Sequence, residues 1–158
     1  MFNKKELDLN EMVENIAKSF TLRVEHTGGK IYTEIEAIDS AIFVDEMHFQ
    51  NVIFNLMDNA VKYRKQDKPI DIYLRTWNDN DHLYLSVRDT GLGIKKENLK
   101  KIFDKFYRVH TGNVHDAKGF GLGLAYVHKM ITELKGEISV ESEYNKGSNF
   151  IIKLPLIN

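Results

Sequence analysis

Two short runs with a period of two constrain this chain most. Ile70, Ile72, Leu74 and Thr76 alternate with polar or amphipathic residues, and Leu83, Leu85 and Val87 do the same after the turn cluster Asn78-Asp79-Asn80-Asp81. Alternation on both sides of such a cluster predicts a hairpin with one buried face. The second run ends in Asp89-Thr90-Gly91-Leu92-Gly93-Ile94, an acid followed by spaced glycines.

The flanking sequence supplies helices to cover that face. Asn10 or Asp8 caps a first helix, with Met12, Val13, Ile16 and Phe20 on one side, and Gly28-Gly29 ends it. Ile31 to Ile35 alternates as a half-buried strand, and Ala41 to Val44 reads as a short one. Phe49, Val52, Ile53, Leu56 and Ala60 predict a long helix from about Glu46 to Lys65, broken before Pro69. A short helical piece is expected around Glu97 to Phe106, followed by a polar stretch from His110 to Lys118 that reads as a loop. A helix from Leu122 to Leu134 ends at Gly136, and strands Glu137–Glu143 and Ser148–Leu156 close the chain. Helices and strands do not alternate regularly. The expected class is therefore α/β of the α+β kind: a two-layer sandwich, with helices on one face of a mixed sheet.

The 158 residues suit a single domain spanning 1–158. A net charge of −1 gives no basic field to attract nucleic acid or anionic lipid. With no cysteine, neither disulfides nor thiolate chemistry is open to the chain. No apolar run approaches the ~18 residues of a membrane span.

Three clusters carry chemistry. Asn55 and Asn59 share a helix face, with Lys62 three residues further on. Amides within an apolar helix must find partners, and here an Asn59 oxygen suits Mg²⁺ while Lys62 offers a cation to phosphate. The plain alternative is two surface amides. Asp89 alone is the polar end of a strand. Followed by Gly91 and Gly93, whose bare backbone passes close to a flat ring, its carboxylate becomes an acceptor for the exocyclic amine of adenine. Guanine presents an oxygen there and is rejected. Gly119-Phe120-Gly121-Leu122-Gly123-Leu124 opens a helix whose free backbone donors suit phosphate. The dinucleotide fingerprint fits poorly, and the Walker pattern and the signatures of eukaryotic-type protein kinases are absent.

The order and spacing of these clusters resemble the catalytic ATP-binding domain of two-component sensor histidine kinases. That domain belongs to a superfamily that also holds gyrase-type topoisomerases, mismatch-repair ATPases and a heat-shock chaperone. Asn55 to Tyr63 resembles the asparagine box, and Asp89 to Gly93 the first glycine box. Phe103 to Arg108 resembles the phenylalanine box, Gly119 to Leu124 the second glycine box, and Lys146-Gly147-Ser148-Asn149-Phe150 the last box. Leu7-Asp8-Leu9-Asn10 resembles the approach to this domain from the preceding helical hairpin. The resemblance implies the Bergerat ATP-binding fold, with an ATP lid at about 95–120.

It also implies roles. Asn55, Asn59 and Lys62 would form the catalytic group, with Asn59 holding Mg²⁺. Residues Asn59, Lys62, Tyr63, Asp89, Gly91, Gly93, Ile94, Arg108, Gly119, Gly121, Leu122, Gly123, Leu124 and Ser148 would line the ATP site. Lys62, Tyr63 and Arg108 would surround sugar and phosphates, and Ser148, where threonine is more usual, would reach adenine through a water. Phe103 and Phe106 would anchor the lid, while Phe120 departs from the small residue commonest at its place. Relatives that hydrolyse ATP carry a glutamate where Asn55 sits. An amide takes no proton at neutral pH, so the site suits donation of the γ-phosphate to an outside imidazole. The chain's histidines, His26, His48, His82, His110, His115 and His128, do not match the acceptor pattern and read as solvated or structural. The acceptor hairpin is therefore expected outside this chain, on a separate dimerisation domain of the same parent kinase, with a response regulator further on. The resemblance places the domain on the cytoplasmic side of a membrane-anchored sensor, without membrane or nucleic-acid contact of its own. The rival readings are a stand-alone ATPase of the superfamily and a degenerate ATP-binding interaction module.

Overall fold

The computed structural model describes residues 3–104 and 122–157. Phe106, Arg108, Gly119, Gly121, the stretch His110–Lys118 with His110 and His115, and most of the expected lid lie outside the described residues.

Strand β1 (Lys4–Asp8) pairs antiparallel with β3 (Ala41–Asp45) in a small two-stranded sheet. Sequence alternation did not reveal β1, because four of its five side chains are exposed and only Leu7 touches the core. Helix α1 (Leu9–His26) starts where the Asp8 carboxylate accepts from the Asn10 amide at 2.9 Å. Asp8, not Asn10, is the cap. The Asn10 side chain instead donates to the Ala37 carbonyl at 2.9 Å and accepts from the Thr76 hydroxyl at 2.7 Å, tying α1 to the large sheet. Helix α2 (Glu46–Lys62) is capped by Asp45, which accepts from the His48 amide at 3.1 Å. It ends three residues short of the expected Lys65.

The main sheet has the order β2-β4-β5-β7-β6, from β2 (Ile31–Ile35), β4 (Ile72–Asn78), β5 (His82–Asp89), β6 (Glu137–Glu143) and β7 (Gly147–Pro155). β2 and β4 are parallel and the other neighbours antiparallel, so the sheet is mixed as expected. Its inner face carries Ile72 and Leu74 on β4, Leu83, Leu85 and Val87 on β5, and Phe150, Ile152 and Leu154 on β7, all buried. These residues pack beneath α1, α2 and helix α3 (Leu122–Glu133) in one continuous core. The opposite face is open. There Tyr32 stacks on Tyr73 and Trp77 on Tyr84, with the Arg88 and Arg75 guanidinium groups over Tyr73 and Trp77. Such pairs knit neighbouring strands together, which is the ordinary sheet role expected of Trp77 and Tyr84.

The helical piece expected around Glu97 is a single 3₁₀ turn over Lys96–Asn98 followed by turns. No side chain caps it, and Lys95 and Lys96 place positive charge at the end where a helix prefers negative. Ile102 is fully buried and holds this segment to the core.

Candidate functional site

Three strands change character at one end of the sheet. Along β5 the inward row Leu83, Leu85, Val87 ends in Asp89. Along β7 the row Leu154, Ile152, Phe150 ends in Ser148. Along β6 the row Ile138, Val140 ends in Ser142. The register sets Asp89 opposite Ser148 and Ser148 opposite Ser142, so the three polar residues form one line across the inner face. The inner face is also polar at Thr76, but there the hydroxyl is taken up by Asn10. The Asp89–Ser148–Ser142 line instead ends three neighbouring apolar rows at one edge of the core and is a candidate for a polar ligand.

Asp89 is 9% exposed. Its Oδ1 accepts from the Gly91 amide at 2.8 Å. Burial pushes its pKa up from 3.8 to about 6, against the opposing pull of the Gly91 and Ser148 amides and of the Arg88 charge. The carboxylate is thus held away from water at the rim of the core, and a buried acid with a raised pKa is a candidate for a functional group.

The loop after Asp89 is fastened on three sides. The Thr90 amide donates to the Asp71 carbonyl at 3.1 Å, and the Asp71 amide to the Thr90 hydroxyl at 3.0 Å. The Leu92 amide donates to the Tyr63 carbonyl at the end of α2 at 3.0 Å. The Ile94 amide donates to the Ser142 hydroxyl at 2.7 Å, and the Asn145 amide to the Leu92 carbonyl. Glycine is required twice here. Gly93 has a φ of 76° and its missing Cβ would strike the Glu143 carbonyl, while Gly147 has a φ of 123° and would strike the Asp89 carbonyl.

Helix α2 brings Asn59 to the same corner, since Tyr63 touches the loop and Asn59 lies one turn before it. Asn59 is 8% exposed, and its amide nitrogen is buried with no hydrogen-bond partner among the described residues. A buried amide with unused valence suits a bound polar group. Its oxygen is also a hard donor suited to Mg²⁺. Among the described residues no three His, Asp or Glu side chains converge as a metal site, so the other ligands of such an ion would come from phosphates and water. Asn55 sits half-buried one turn earlier.

Lys62, expected beside sugar and phosphates, stands in an ion pair. Its ammonium pairs with Asp58 at 2.9 Å and is 51% exposed, while Asp58, 16% exposed, also takes the Arg23 guanidinium at 2.9 Å. Leu124 is fully buried on α3. That helix is joined to α2 by the Tyr126 hydroxyl, 2.8 Å from His48 Nδ1. Phe103 packs against His128 and edge-on to Phe150, so the segment leading to 105 starts from a fixed point. Of the expected site residues, Asn59, Tyr63, Asp89, Gly91, Gly93, Ile94 and Ser148 fall around this corner, and Asn55 lies further back along α2. Leu122 and Gly123 begin α3. Ser142, Thr90 and Asp58 were missed. Ser142 left one trace, a small hydroxyl on an inward row otherwise made of Ile138 and Val140.

The family model described as histidine kinase-, DNA gyrase B- and HSP90-like ATPase matches residues 44–158. The sensor protein RprX of Bacteroides fragilis is 60% identical over 153 residues, which is 97% of this chain and 30% of that protein. The sensor histidine kinase RcsC of Escherichia coli is 36% identical over 153 residues, 96% of this chain and 16% of its own length. The chain therefore spans less than a third of either relative. Among solved structures, the catalytic domain of histidine kinase ThkA superposes with a TM-score of 0.83 at 26% identity, covering 98% of this chain and 99% of that one.

Proposed function

The chain belongs to the histidine kinase-, DNA gyrase B- and HSP90-like ATPases, and from that premise we propose that it binds ATP with Mg²⁺ and presents the γ-phosphate to a histidine of a separate phosphoacceptor domain of its parent sensor kinase. A response regulator would then take the phosphoryl group, with this domain on the cytoplasmic side of the membrane that carries the parent. The single observation that carries the reading is the buried Asp89 carboxylate, with its raised pKa, in line with Ser148 and Ser142 at one end of the sheet.

Each group has a task in this reading. Asp89 accepts from the adenine amine, and the glycine loop at Gly91 and Gly93 lets the base lie against bare backbone. Asn59 would hold Mg²⁺ through its side-chain oxygen, and its amide nitrogen, unpartnered among the described residues, would be free to donate to the ligand. Bound Mg²⁺ neutralises charge on the triphosphate and so eases phosphoryl transfer. Lys62 leaves Asp58 to meet phosphate, at little cost because its ammonium is half exposed and Asp58 keeps Arg23. Asn55 cannot accept a proton at neutral pH, so no residue at its position activates water and the phosphoryl group is kept for an outside imidazole. Arg108 and the glycines at 119 and 121 are proposed on the phosphate side, and Gly123 and Leu124 with them.

The test mixes the chain with a separately produced phosphoacceptor hairpin of its parent and radiolabelled ATP. The expected product is acid-labile label on the hairpin histidine. Rapid steady-state release of free phosphate without the hairpin would instead establish the stand-alone ATPase, and ATP binding with no transfer the interaction module.

A further inference from the structure

We propose that Ser142, outside every recognised box, is a positioning residue that sets purine specificity by fixing the direction of the Ser148 hydroxyl beside Asp89. The proposal rests on the reading of this corner as an adenine pocket.

The geometry decides where the protons go. Ser142 Oγ lies 2.7 Å from the Ile94 amide, 2.9 Å from the Gly147 carbonyl and 2.8 Å from Ser148 Oγ. The amide can only donate and the carbonyl can only accept. A hydroxyl has one hydrogen and two lone pairs. The arrangement that satisfies all three contacts sends the Ser142 hydrogen to Gly147, leaving both lone pairs to accept from Ile94 and from Ser148. Ser142 is then saturated, and the one hydrogen of Ser148 is spent on it. What Ser148 offers toward the pocket is lone pairs alone.

Ser148 is buried and sits directly opposite Asp89 in the β5–β7 register. The pocket therefore meets its ligand with two acceptors side by side, a carboxylate and a hydroxyl oxygen. An adenine amine has two N–H groups and suits such a pair, directly or through one bridging water. Guanine carries a carbonyl oxygen at the same place and meets acceptor against acceptor, which is costly in a buried site. Without Ser142 the Ser148 hydroxyl is free to turn and donate, and half of the discrimination goes. Ser142 also holds Ile94, so it sets the polarity of the pocket and the position of the loop from one atom.

The experiment measures calorimetric affinities for Mg-ATP and Mg-GTP with the whole chain, at a temperature where each variant is folded by circular dichroism. The wild type should prefer ATP. Ser142→Ala should reduce the ATP-over-GTP ratio on the order of tenfold, the worth of one buried neutral hydrogen bond with its mismatch. Ser142→Thr, which keeps the hydroxyl, should restore it. Ser148→Ala leaves Ile94 its partner and should reduce the ratio likewise, which keeps the test open if Ser142→Ala does not fold. Equal weakening of ATP and GTP by Ser142→Ala, or an unchanged ratio in Ser148→Ala, would overturn the proposal while leaving the adenine site standing. A wild type that binds neither nucleotide, or does not prefer ATP, would remove the site reading and this proposal together.

Discussion

Asp79 and Asp89 lie at opposite ends of the same hairpin and are shifted in opposite directions. Asp79, in the turn, accepts from the Asp81 amide at 2.9 Å, from the His82 amide at 2.8 Å and from the Tyr84 hydroxyl at 2.8 Å. These donors, the Asp81 amide foremost, hold its pKa below the ordinary value. Asp89, at the far end, is buried, and desolvation pushes its pKa up to about 6 against the Gly91 and Ser148 amides. One carboxylate is held by donors and serves the turn, while the other is buried and, in the proposed reading, serves a ligand. The contrast distinguishes two aspartates within one hairpin, where residue type alone does not.

The sharpest way to break the comparison is Asp89→Asn. A charge-assisted hydrogen bond is worth about 1.5–3 kcal/mol, so ATP affinity should fall by roughly ten- to a hundredfold. Stability should move the other way. The raised pKa means that ionised Asp89 costs the ligand-free fold on the order of 3 kcal/mol at neutral pH. The variant should therefore melt no lower than the wild type at pH 7.5, as read by calorimetry. A lower melting temperature together with unchanged ATP affinity would make Asp89 a structural residue like Asp79.

A pH series applies the same test without mutation. Because the folded pKa lies above the unfolded one, the stability cost is absent below about pH 3.8 and complete above about pH 6, so the ligand-free protein should lose stability as pH rises through that window. In the proposed reading nucleotide binding needs the ionised form and has the opposite slope. ATP affinity should be level above pH 6 and fall by about tenfold per pH unit below it. Titrations in buffers of different ionisation enthalpy should show proton release on binding near pH 6. An affinity level down to pH 4 would show that the carboxylate does not meet the base.

How far the sequence revealed this contrast depends on the signal each element leaves. The hairpin, the three long helices and the polar end at Asp89 follow from the alternation and helical spacing of apolar residues, and all are present. Strand β1 left no such signal, because Lys4, Lys5, Glu6 and Asp8 are exposed and its pairing with β3 joins segments over thirty residues apart. The parallel pairing of β2 with β4 is equally non-local. In the site, the spaced glycines marked the loop, but its fastening by Thr90 and Ser142 depends on side chains that meet only in the folded sheet. The Asp58 bridge to both Arg23 and Lys62 joins two helices, and only its Lys62 half follows a helical spacing readable in advance.

Lys62→Ala sharpens the site end of the comparison with a smaller effect. Asp89→Asn should weaken adenosine and ATP alike, since both carry the base. Lys62→Ala should weaken ATP by roughly three- to tenfold, as for one exposed cation on phosphate, and leave adenosine unchanged. Stability should change little, because the Lys62–Asp58 pair is half exposed and Asp58 retains Arg23. Equal loss for adenosine would place Lys62 in the fold rather than on the phosphates.

Asp79→Asn should have the smallest effect and no effect on nucleotide affinity. Its folded pKa lies below the unfolded one, so its contribution to stability is present above the ordinary carboxylate pKa and is lost as pH falls through the lower folded value. The difference in melting temperature between wild type and variant should thus be small and constant from pH 5 to pH 8 and should shrink only in stronger acid. That window lies below the one in which Asp89 acts. If the difference instead changed between about pH 4 and pH 6, the two ends of the hairpin would be coupled, and the carboxylate held by donors could no longer be told from the buried one by its titration.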